Sequence, residues 1–167
     1  MRLIPWDNST RPVKAGDGKI LTLKEYLEAG KESAHPRRRR AARLWSPDNP
    51  LEHQEQATLI RWRCLYEKQI PPLGLLFAIP NAGAARLRNL QTEGVLRGVA
   101  DLFLAYPSGP YHGLFIEMKR IKGGRLSEHQ LAFMQKAWKV GYSCEVCHGA
   151  EEAWKLICTY FGVKDPR

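Results

Sequence analysis

The chain has 167 residues and a formal net charge of +9, a length that suits one domain with an appendage and excludes two full domains. A charge of this size on a small protein favours a polyanionic partner, and nucleic acid is the first to expect. The sequence has no run of 18 apolar residues, and its start, MRLIPWDNST, lacks the apolar core of a signal peptide. We therefore expect a cytoplasmic protein with no membrane partner.

Residues 1–49 are rich in proline, glycine and charge, which predicts a basic, partly irregular N-terminal extension. One short helix is predicted from Thr22 to Ala29, because Gly30 ends it. The densest basic run of the chain lies in this extension and consists of Arg37, Arg38, Arg39, Arg40 and, after a short gap, Arg43. Such runs are usually solvated, but they also suit an arm that follows DNA phosphates, and both interpretations can hold together.

The first helix of the domain is predicted to begin after Asn49, with Asn49 as N-cap and Pro50 in the first turn. It should run to about Lys68. Glu52 and Gln56 are four residues apart and therefore share one face of this helix. The plain interpretation of Glu52 is a carboxylate that caps the helix, since it stands near the helix start.

A short apolar strand is predicted from Leu75 to Ile79, followed by a turn that contains Asn81. A helix that carries Arg86 and Arg88 should come next and end near Gly94. A helix N-terminus with nearby arginines suits phosphate binding, so Asn81 and the two arginines are candidates for contact with a DNA backbone. The plain alternative is an exposed basic helix.

The stretch from Val99 to Lys119, VADLFLAYPSGPYHGLFIEMK, predicts a β-hairpin because two apolar runs flank a Pro-Ser-Gly-Pro turn. A symmetric hairpin places Asp101 opposite Glu117 and Phe103 opposite Phe115. Strand side chains alternate between faces, so one face should be a core face made of Leu102, Leu104, Leu114, Ile116 and Met118.

The other face of this hairpin brings together Asp101, Glu117 and Lys119. Facing carboxylates repel by about 3 kcal/mol at an effective dielectric of about 20. A divalent cation compensates directly, because Mg²⁺ prefers one or two carboxylate oxygens plus waters and substrate phosphates. The alternative is a solvated hairpin face with a Glu–Lys pair, and the spacing alone does not decide between the two.

A flexible basic loop, Lys122-Gly-Gly-Arg125, follows the hairpin and offers two further candidates for DNA contact. Ser127 is predicted to cap a helix that runs to Val140, where Gly141 ends it. Ser127 and Gln130 also match an S-x-x-Q capping box. This local role competes with an active-site role for Gln130.

A strand from Tyr142 to Cys147 and a helix from Ala150 to Phe161 complete the domain. Cys144-Glu-Val-Cys147-His148 spells a c-type haem attachment pattern. That attachment needs export, which the N-terminus does not support, so we expect no haem. Cys64 and Cys158 lie on separate predicted helices, and reduced thiols are expected rather than a zinc site.

Several ordered motifs resemble the virus-type replication-repair nuclease (VRR-NUC) family, a branch of the PD-(D/E)xK nucleases. They are Ile79-Pro80-Asn81, Gly98-Val99-Ala100-Asp101, Glu117-Met118-Lys119 and Ser127-x-x-Gln130. The similarity runs from about Glu52 to Gly162. Ala100 stands where the family motif has a proline, at a position that bears no ligand.

The resemblance and the order of predicted elements imply an α/β, restriction-endonuclease-like core, with a mixed central β-sheet flanked by helices. The domain should cover residues 50–162 and leave a tail at 163–167. The implied activity is Mg²⁺- or Mn²⁺-dependent hydrolysis of DNA phosphodiester bonds.

The resemblance also implies roles for individual residues. Asp101 and Glu117 would hold the metal, together with the backbone carbonyl of Met118. Lys119 would orient the attacking water and stabilise charge in the transition state. Glu52 and Gln130 would support a water or a second metal. For Glu52 the reason is that a glutamate and a glutamine of the first helix point to the active site in this family; Glu55 is the less favoured substitute for Glu52.

Small stand-alone members of the family resemble Holliday junction resolvases that act as homodimers, which implies branched DNA and a second copy of this chain as partners. The chain also has more large aromatic residues than a small core obviously needs, although a core role is favoured for most of them: Trp62, Trp138, Trp154 and Tyr160. A flap, nicking or restriction-type endonuclease stays open, and so does a DNA-binding module without activity.

Overall fold

A computed structural model of the protein describes residues 12–14, 20–22, 48–80 and 94–167. The chain divides into two compact units, Met1–Ser46 and Pro47–Arg167. Several predicted features lie outside the described residues: the helix after Thr22, the arginines at 37–40 and 43, Asn81, and the helix with Arg86 and Arg88.

The described part of the first unit is a pair of short strands. Strand β1 spans Pro12–Lys14 and strand β2 spans Ile20–Thr22. They pair antiparallel, with Val13 opposite Leu21. Thr22 therefore ends a strand, whereas the sequence predicted that it begins a helix.

The second unit contains a four-stranded mixed sheet. Its elements are α1 (Glu52–Tyr66), a 3₁₀ turn (Pro71–Leu75), β3 (Leu76–Ala78), β4 (Leu102–Leu104), β5 (Leu114–Lys119), α2 (Glu128–Lys139), β6 (Ser143–His148) and α3 (Ala150–Phe161). The strands lie in the order β3-β4-β5-β6. The first two pairs are antiparallel and β5 with β6 is parallel. In the described residues, the predicted order of helices and strands is confirmed.

The hairpin of β4 and β5 has the predicted register. Phe103 pairs with Phe115, flanked by the pairs Leu102–Ile116 and Leu104–Leu114. The predicted core face is buried, and the side chains of α1 and α3 that pack on it include Leu59, Trp154 and Ile157. One sheet face and two helices therefore enclose the main core.

The aromatic residues that seemed in excess mostly belong to this core. Trp154 is fully buried, and Trp62 meets it edge-on with ring centroids 6.0 Å apart. Tyr160 packs against the same cluster, and its hydroxyl donates to the Tyr106 carbonyl. A core role for these three side chains is sufficient to explain them.

The opposite face of the sheet carries an aromatic layer under α2. Phe103 stacks on Phe115 with centroids 4.4 Å apart, and Phe133 of α2 meets Phe115 edge-on. Helix α2 therefore covers the face on which the charged residues of the hairpin lie, while α1 and α3 cover the other.

Helix α1 begins two residues later than its sequence predicts. Leu51 is the N-cap residue, and its N–H donates to the Gln54 side chain at 2.9 Å. Asn49, the predicted cap, instead accepts from the Lys122 N–H at 3.1 Å and donates to the Lys122 carbonyl at 3.4 Å. The Asn49 side chain, which the local sequence predicted as the cap of α1, therefore binds a loop that is distant in sequence.

The two cysteines of the Cys-x-x-Cys-His pattern lie three residues apart on β6, and alternation puts them on opposite faces of the strand. Cys147 is buried, whereas Cys144 is only partly covered. One group cannot bind both thiols in this arrangement. No helix in residues 48–80 or 94–167 is both long and apolar enough to cross a membrane.

Candidate active site

The hairpin register brings the two predicted metal-ligating acids together. Asp101 comes directly before β4, and continuing the register by one residue places it opposite Glu117. An Asp101 Oδ2 atom accepts from the Met118 N–H at 2.8 Å. On its other side, the Asp101 carbonyl accepts from the Ile79 N–H at 2.8 Å. Asp101 is thus tied to both neighbouring strands.

The two carboxylate oxygens of Glu117 have different surroundings. The side chain is fully buried. Its Oε1 accepts from the Lys119 ammonium and from the Gln130 side-chain amide. Its Oε2 is buried and has no hydrogen-bond partner among the described residues. An unpartnered buried acceptor costs about 1–3 kcal/mol, so this oxygen lies where a bound cation would stabilise it.

The surroundings of Glu117 disfavour its charge. Burial is the largest cause, and the nearby Asp101 carboxylate adds to it, while Lys119 acts in the opposite sense. Together they raise the pKa of Glu117 from 4.5 to about 7. One ammonium therefore does not compensate two adjacent carboxylates in this buried place, and a second cation would.

Gln130 forms the predicted capping box and also donates to Glu117. Its Oε1 accepts from the Ser127 N–H at 2.9 Å, and the Gln130 N–H lies 3.3 Å from Ser127 Oγ, which completes the predicted capping box. Because the amide oxygen is used in the cap, the amide nitrogen is the end that reaches Glu117. The helix cap therefore orients the donor to Glu117.

Lys119 is almost completely buried and forms an ion pair with Glu117. Both residues lie on one face of β5 because they are two residues apart. The Lys119 carbonyl accepts from the Gly149 N–H at 3.0 Å. The end of β5 is in this way fixed to the turn that leads from β6 into α3.

The acid of α1 that the structure buries is Glu55, and not the favoured Glu52. Glu52 is exposed and has no hydrogen bond or ion pair with the described residues. Glu55 is 8% exposed, and its carboxylate accepts from the Ala150 N–H at the start of α3, at 2.8 Å. The burial of Glu55 could have been predicted from its position in the sequence. It lies four residues before the fully buried Leu59, on the apolar stripe of the helix.

Sequence reasoning gave no site role to His148, and the structure places it beside Lys119. The two residues are partners in the parallel pairing of β5 with β6. Since Cys147 faces the core, His148 faces the side of the acids. Its Nδ1 donates to the Arg120 carbonyl at 3.0 Å. Only the strand register reveals this neighbour, because the residues are far apart in sequence.

The basic loop that follows β5 is exposed next to these residues. Lys122 and Arg125, two predicted DNA contacts, are both exposed. Lys122 is held at its backbone by Asn49, so its side chain takes no part in that contact. The loop offers positive charge close to the end of β5.

The charged residues at this end of the sheet fit a hard divalent cation. Such ions are held by one or two carboxylates, with waters and phosphates completing the shell. Asp101 and Glu117 supply two carboxylates, and the unpartnered Oε2 supplies an open ligand atom. In the described ranges no three His, Cys, Asp or Glu side chains converge to hold a metal. The chain thus offers a partial shell of the kind that Mg²⁺ accepts.

A mixed sheet flanked by helices is consistent with a restriction-endonuclease-like α/β fold, and here paired acids and a lysine lie at one end of its central hairpin. Comparison with known proteins agrees. The VRR-NUC domain model matches residues 43–151, which is most of the chain. The chain belongs to the VRR-NUC domain family, as its motifs predicted.

A solved structure described as a "VRR_NUC domain protein" is also similar to this chain. The TM-score is 0.56 and the sequence identity is 25%. The similarity covers 70% of this chain and 93% of the other. A search of curated proteins found no match. The similarity therefore supports the fold described for this chain, and it extends over nearly the whole length of the solved structure.

Proposed function

We propose that the protein is a divalent-metal-dependent DNA endonuclease that hydrolyses phosphodiester bonds. Membership in the VRR-NUC family implies nuclease activity with DNA as the substrate. The finer proposal adds the metal, the internal position of the cut and the residues that make it. This finer proposal rests on the end of the β4–β5 hairpin where Asp101, Glu117 and Lys119 lie.

The single observation that carries the proposal is the asymmetry of Glu117. One oxygen accepts from Lys119 and Gln130, and the other is buried with no hydrogen-bond partner in the ranges that the structure describes. A purely structural glutamate at this place would be costly, because both burial and Asp101 disfavour its charge. A cation that binds Glu117 and Asp101 removes both costs at once.

The proposed metal ligands are the carboxylates of Asp101 and Glu117 and the backbone carbonyl of Met118. A bound Mg²⁺ or Mn²⁺ would polarise the scissile phosphate and lower the pKa of a bound water. The Asp101 carboxylate is already held in place by the Met118 N–H. The ligands are therefore positioned before the ion arrives, which reduces the reorganisation that binding requires.

Lys119 and Gln130 are proposed to act around these ligands. The Lys119 ammonium orients the attacking water and stabilises negative charge that develops on the phosphate. The Gln130 amide holds Glu117 in one orientation. A role for Glu52 near a water or second metal is still a prediction, and the buried Glu55 now competes with it for that assignment.

The proposed substrate is branched DNA, with a Holliday junction as the first candidate. A four-way junction needs two symmetric cuts, whereas each chain has one candidate site. A two-fold homodimer supplies the second site by using the same surface on both copies. Lys122 and Arg125, with Arg86, Arg88, Asn81 and the arginines at 37–40, are proposed to contact the DNA backbone.

The proposal is tested by cleavage of four-way, flapped, nicked and linear DNA with Mg²⁺, Mn²⁺ or EDTA. We expect cleavage only with a metal, and paired symmetric nicks in the four-way junction by a homodimer. Single nicks made by a monomer would instead favour a flap or nicking endonuclease. Tight DNA binding without cleavage of any substrate would leave the non-catalytic DNA-binding module as the better account.

A further inference from the structure

Gly98 lies against the first turn of helix α2, three residues before Asp101. Its φ of +80° is in the region that favours glycine. A Cβ placed on Gly98 would overlap the His129 carbonyl and lie 2.6 Å from the Gln130 backbone nitrogen. These are backbone atoms of a helix, so no side-chain rotation can relieve the overlap. The segment that leads to Asp101 can approach Gln130 this closely only with glycine.

Gly124 makes a similar contact with Lys119. A Cβ placed there would lie 2.6 Å from Lys119 Cβ and 3.1 Å from its Cδ. The contact is with the base and middle of the lysine stem rather than its flexible end. Gly124 belongs to the basic loop after β5, so this loop packs directly on the buried lysine.

These two glycines are linked through Glu117. The donors to its Oε1 are the Lys119 ammonium and the Gln130 amide. Lys119 packs on Gly124, and the backbone of Gln130 packs on Gly98. Each donor to Glu117 is therefore in contact with a glycine that leaves no room for a methyl group.

We propose that Gly98 and Gly124 are positioning residues of the active site. By setting the places of Gln130 and Lys119, they determine that Oε1 is the oxygen engaged by protein donors and that Oε2 is left for the metal. Residues that orient a metal ligand typically affect metal affinity by about 10- to 100-fold. The inference rests on the proposed function, because it assigns the second oxygen to a divalent cation.

The chain supplies a matched control for each glycine. Gly94 has a φ of +90°, and a Cβ there would meet no atom of the described residues within 4 Å, so Gly94→Ala is the control that reproduces the backbone strain of Gly98→Ala without its overlap. Gly74 has no positive φ, and its Cβ would lie 2.9 Å from Glu67 Oε1, the movable end of a side chain. Gly74→Ala is therefore the control for Gly124→Ala.

The first measurement needs neither metal nor DNA. In a ¹⁵N–¹H spectrum, the Gln130 side-chain amide signals report its hydrogen bond to Glu117. We expect these signals to move towards those of the Glu117→Gln protein in Gly98→Ala and Gly124→Ala, and to stay at the wild-type positions in the two controls. Unchanged Gln130 signals in both test variants would overturn the inference.

The second measurement is Mn²⁺ binding to the free protein by calorimetry, followed by kcat and KM for DNA cleavage. We expect about tenfold or weaker Mn²⁺ affinity and a lower kcat in the two test variants, with KM for DNA close to that of the controls. Equal Mn²⁺ affinity in test and control variants would contradict the inference.

The outcomes separate this inference from the proposed function. A wild-type protein that cleaves no DNA removes the proposed function, while the Gln130 signals still decide whether the glycines position the donors. If Gly98→Ala does not fold, Gly124→Ala against Gly74→Ala decides alone. Failure of both test variants to fold, with both controls folded, would show that the glycines serve the fold and would overturn a specific role in the site.

Discussion

Two clusters of interacting side chains in the second unit differ in how their charges are compensated. The site cluster (Asp101, Glu117, Lys119 and Gln130) is largely buried, and Glu117 Oε2 has no hydrogen-bond partner within the described part of the chain. The Arg167 cluster (Arg167, Glu151, Asp165, Trp62 and Trp154) has its charged groups near the surface, beside the buried Trp154. In that cluster Arg167 donates to Glu151 at 2.9 Å and to Asp165 at 2.8 Å, and its guanidinium stacks over the Trp62 ring at 4.2 Å.

The carboxyl groups of the two clusters respond oppositely to their surroundings. Hydrogen bonds from Arg167 lower the pKa of Asp165 and of Glu151, whereas burial raises the pKa of Glu117. The Arg167 cluster thus stabilises its charges with groups of the chain itself. The site cluster places two carboxylates beside one ammonium, and a bound cation or a proton would neutralise the excess negative charge, a pattern typical of functional sites.

The largest expected effect comes from removing either acid of the site cluster. Asp101→Asn or Glu117→Gln should lower DNA cleavage by more than about 100-fold, because each removes a proposed metal ligand and not merely a group that orients one. DNA binding should be nearly unchanged, since the basic surface is intact. The measurement is cleavage with Mg²⁺ alongside a binding titration in EDTA. Glu151→Gln, from the Arg167 cluster, is the control and should cleave like wild type.

The next effect concerns Lys119, whose charge is proposed to act on the transition state. Lys119→Met should lower kcat by about 100-fold while DNA affinity changes little. Lys119→Arg should rescue poorly, because a planar guanidinium cannot reproduce a compact ammonium. The exposed Lys139→Met is the charge-matched control. Cleavage by Lys119→Met at the wild-type rate would show that the motif has been misassigned.

A smaller effect should appear in stability without metal. The folded-state pKa of Glu117 is about 7, above its ordinary value of 4.5, so its protonated form stabilises the fold below pH 4.5 and that contribution is lost as pH rises through 7. The loss is about 3 kcal/mol at most. Glu117→Gln should therefore gain stability relative to wild type between pH 5 and pH 8.

This gain is measured by urea unfolding of both proteins in EDTA at the two pH values. Adding Mg²⁺ at pH 8 should stabilise wild type and leave Glu117→Gln almost unchanged. A difference between the two proteins that does not vary with pH would mean that Glu117 is ionised without cost, and the contrast between the two clusters would then fail.

The parts of the site that the sequence predicted are those fixed by short-range rules. The turn and the alternation of the hairpin set the register that joins Asp101 to Glu117, and four residues suffice to predict the capping box of Gln130. The backbone partner of Glu55 lies 95 residues away, and that of Asn49 lies 73 residues away. Neither contact follows from local pattern, because each depends on how helices and loops pack in three dimensions.

The same distinction explains His148 and the two glycines. His148 meets Lys119 only through the parallel pairing of β5 with β6, two strands that helix α2 separates in the chain. Nothing in the sequence distinguishes Gly98 and Gly124 from ordinary loop glycines. Only the packed structure brings them into contact with Gln130 and Lys119. The pairing of Asp101 with Glu117 was therefore predictable from the sequence, whereas the contacts of His148, Gly98 and Gly124 were not.

The smallest expected effect is at the Arg167 cluster, and its dependence on pH has the opposite sign. The pKa of Asp165 is held below its ordinary value of 3.8 by hydrogen bonds from Arg167. Its ionised form therefore stabilises the fold above pH 3.8, and that contribution declines as pH falls below this value.

Asp165→Asn should lower the melting temperature slightly at pH 7, and its difference from wild type should shrink below pH 3.8. Thermal denaturation of both proteins at several pH values measures this difference. Because Asp165 is exposed, solvent screening keeps the effect small, and DNA cleavage should not change. An Asp165→Asn protein that loses cleavage would link the two clusters, and the separation between a charge-satisfied surface group and a charge-deficient site would have to be abandoned.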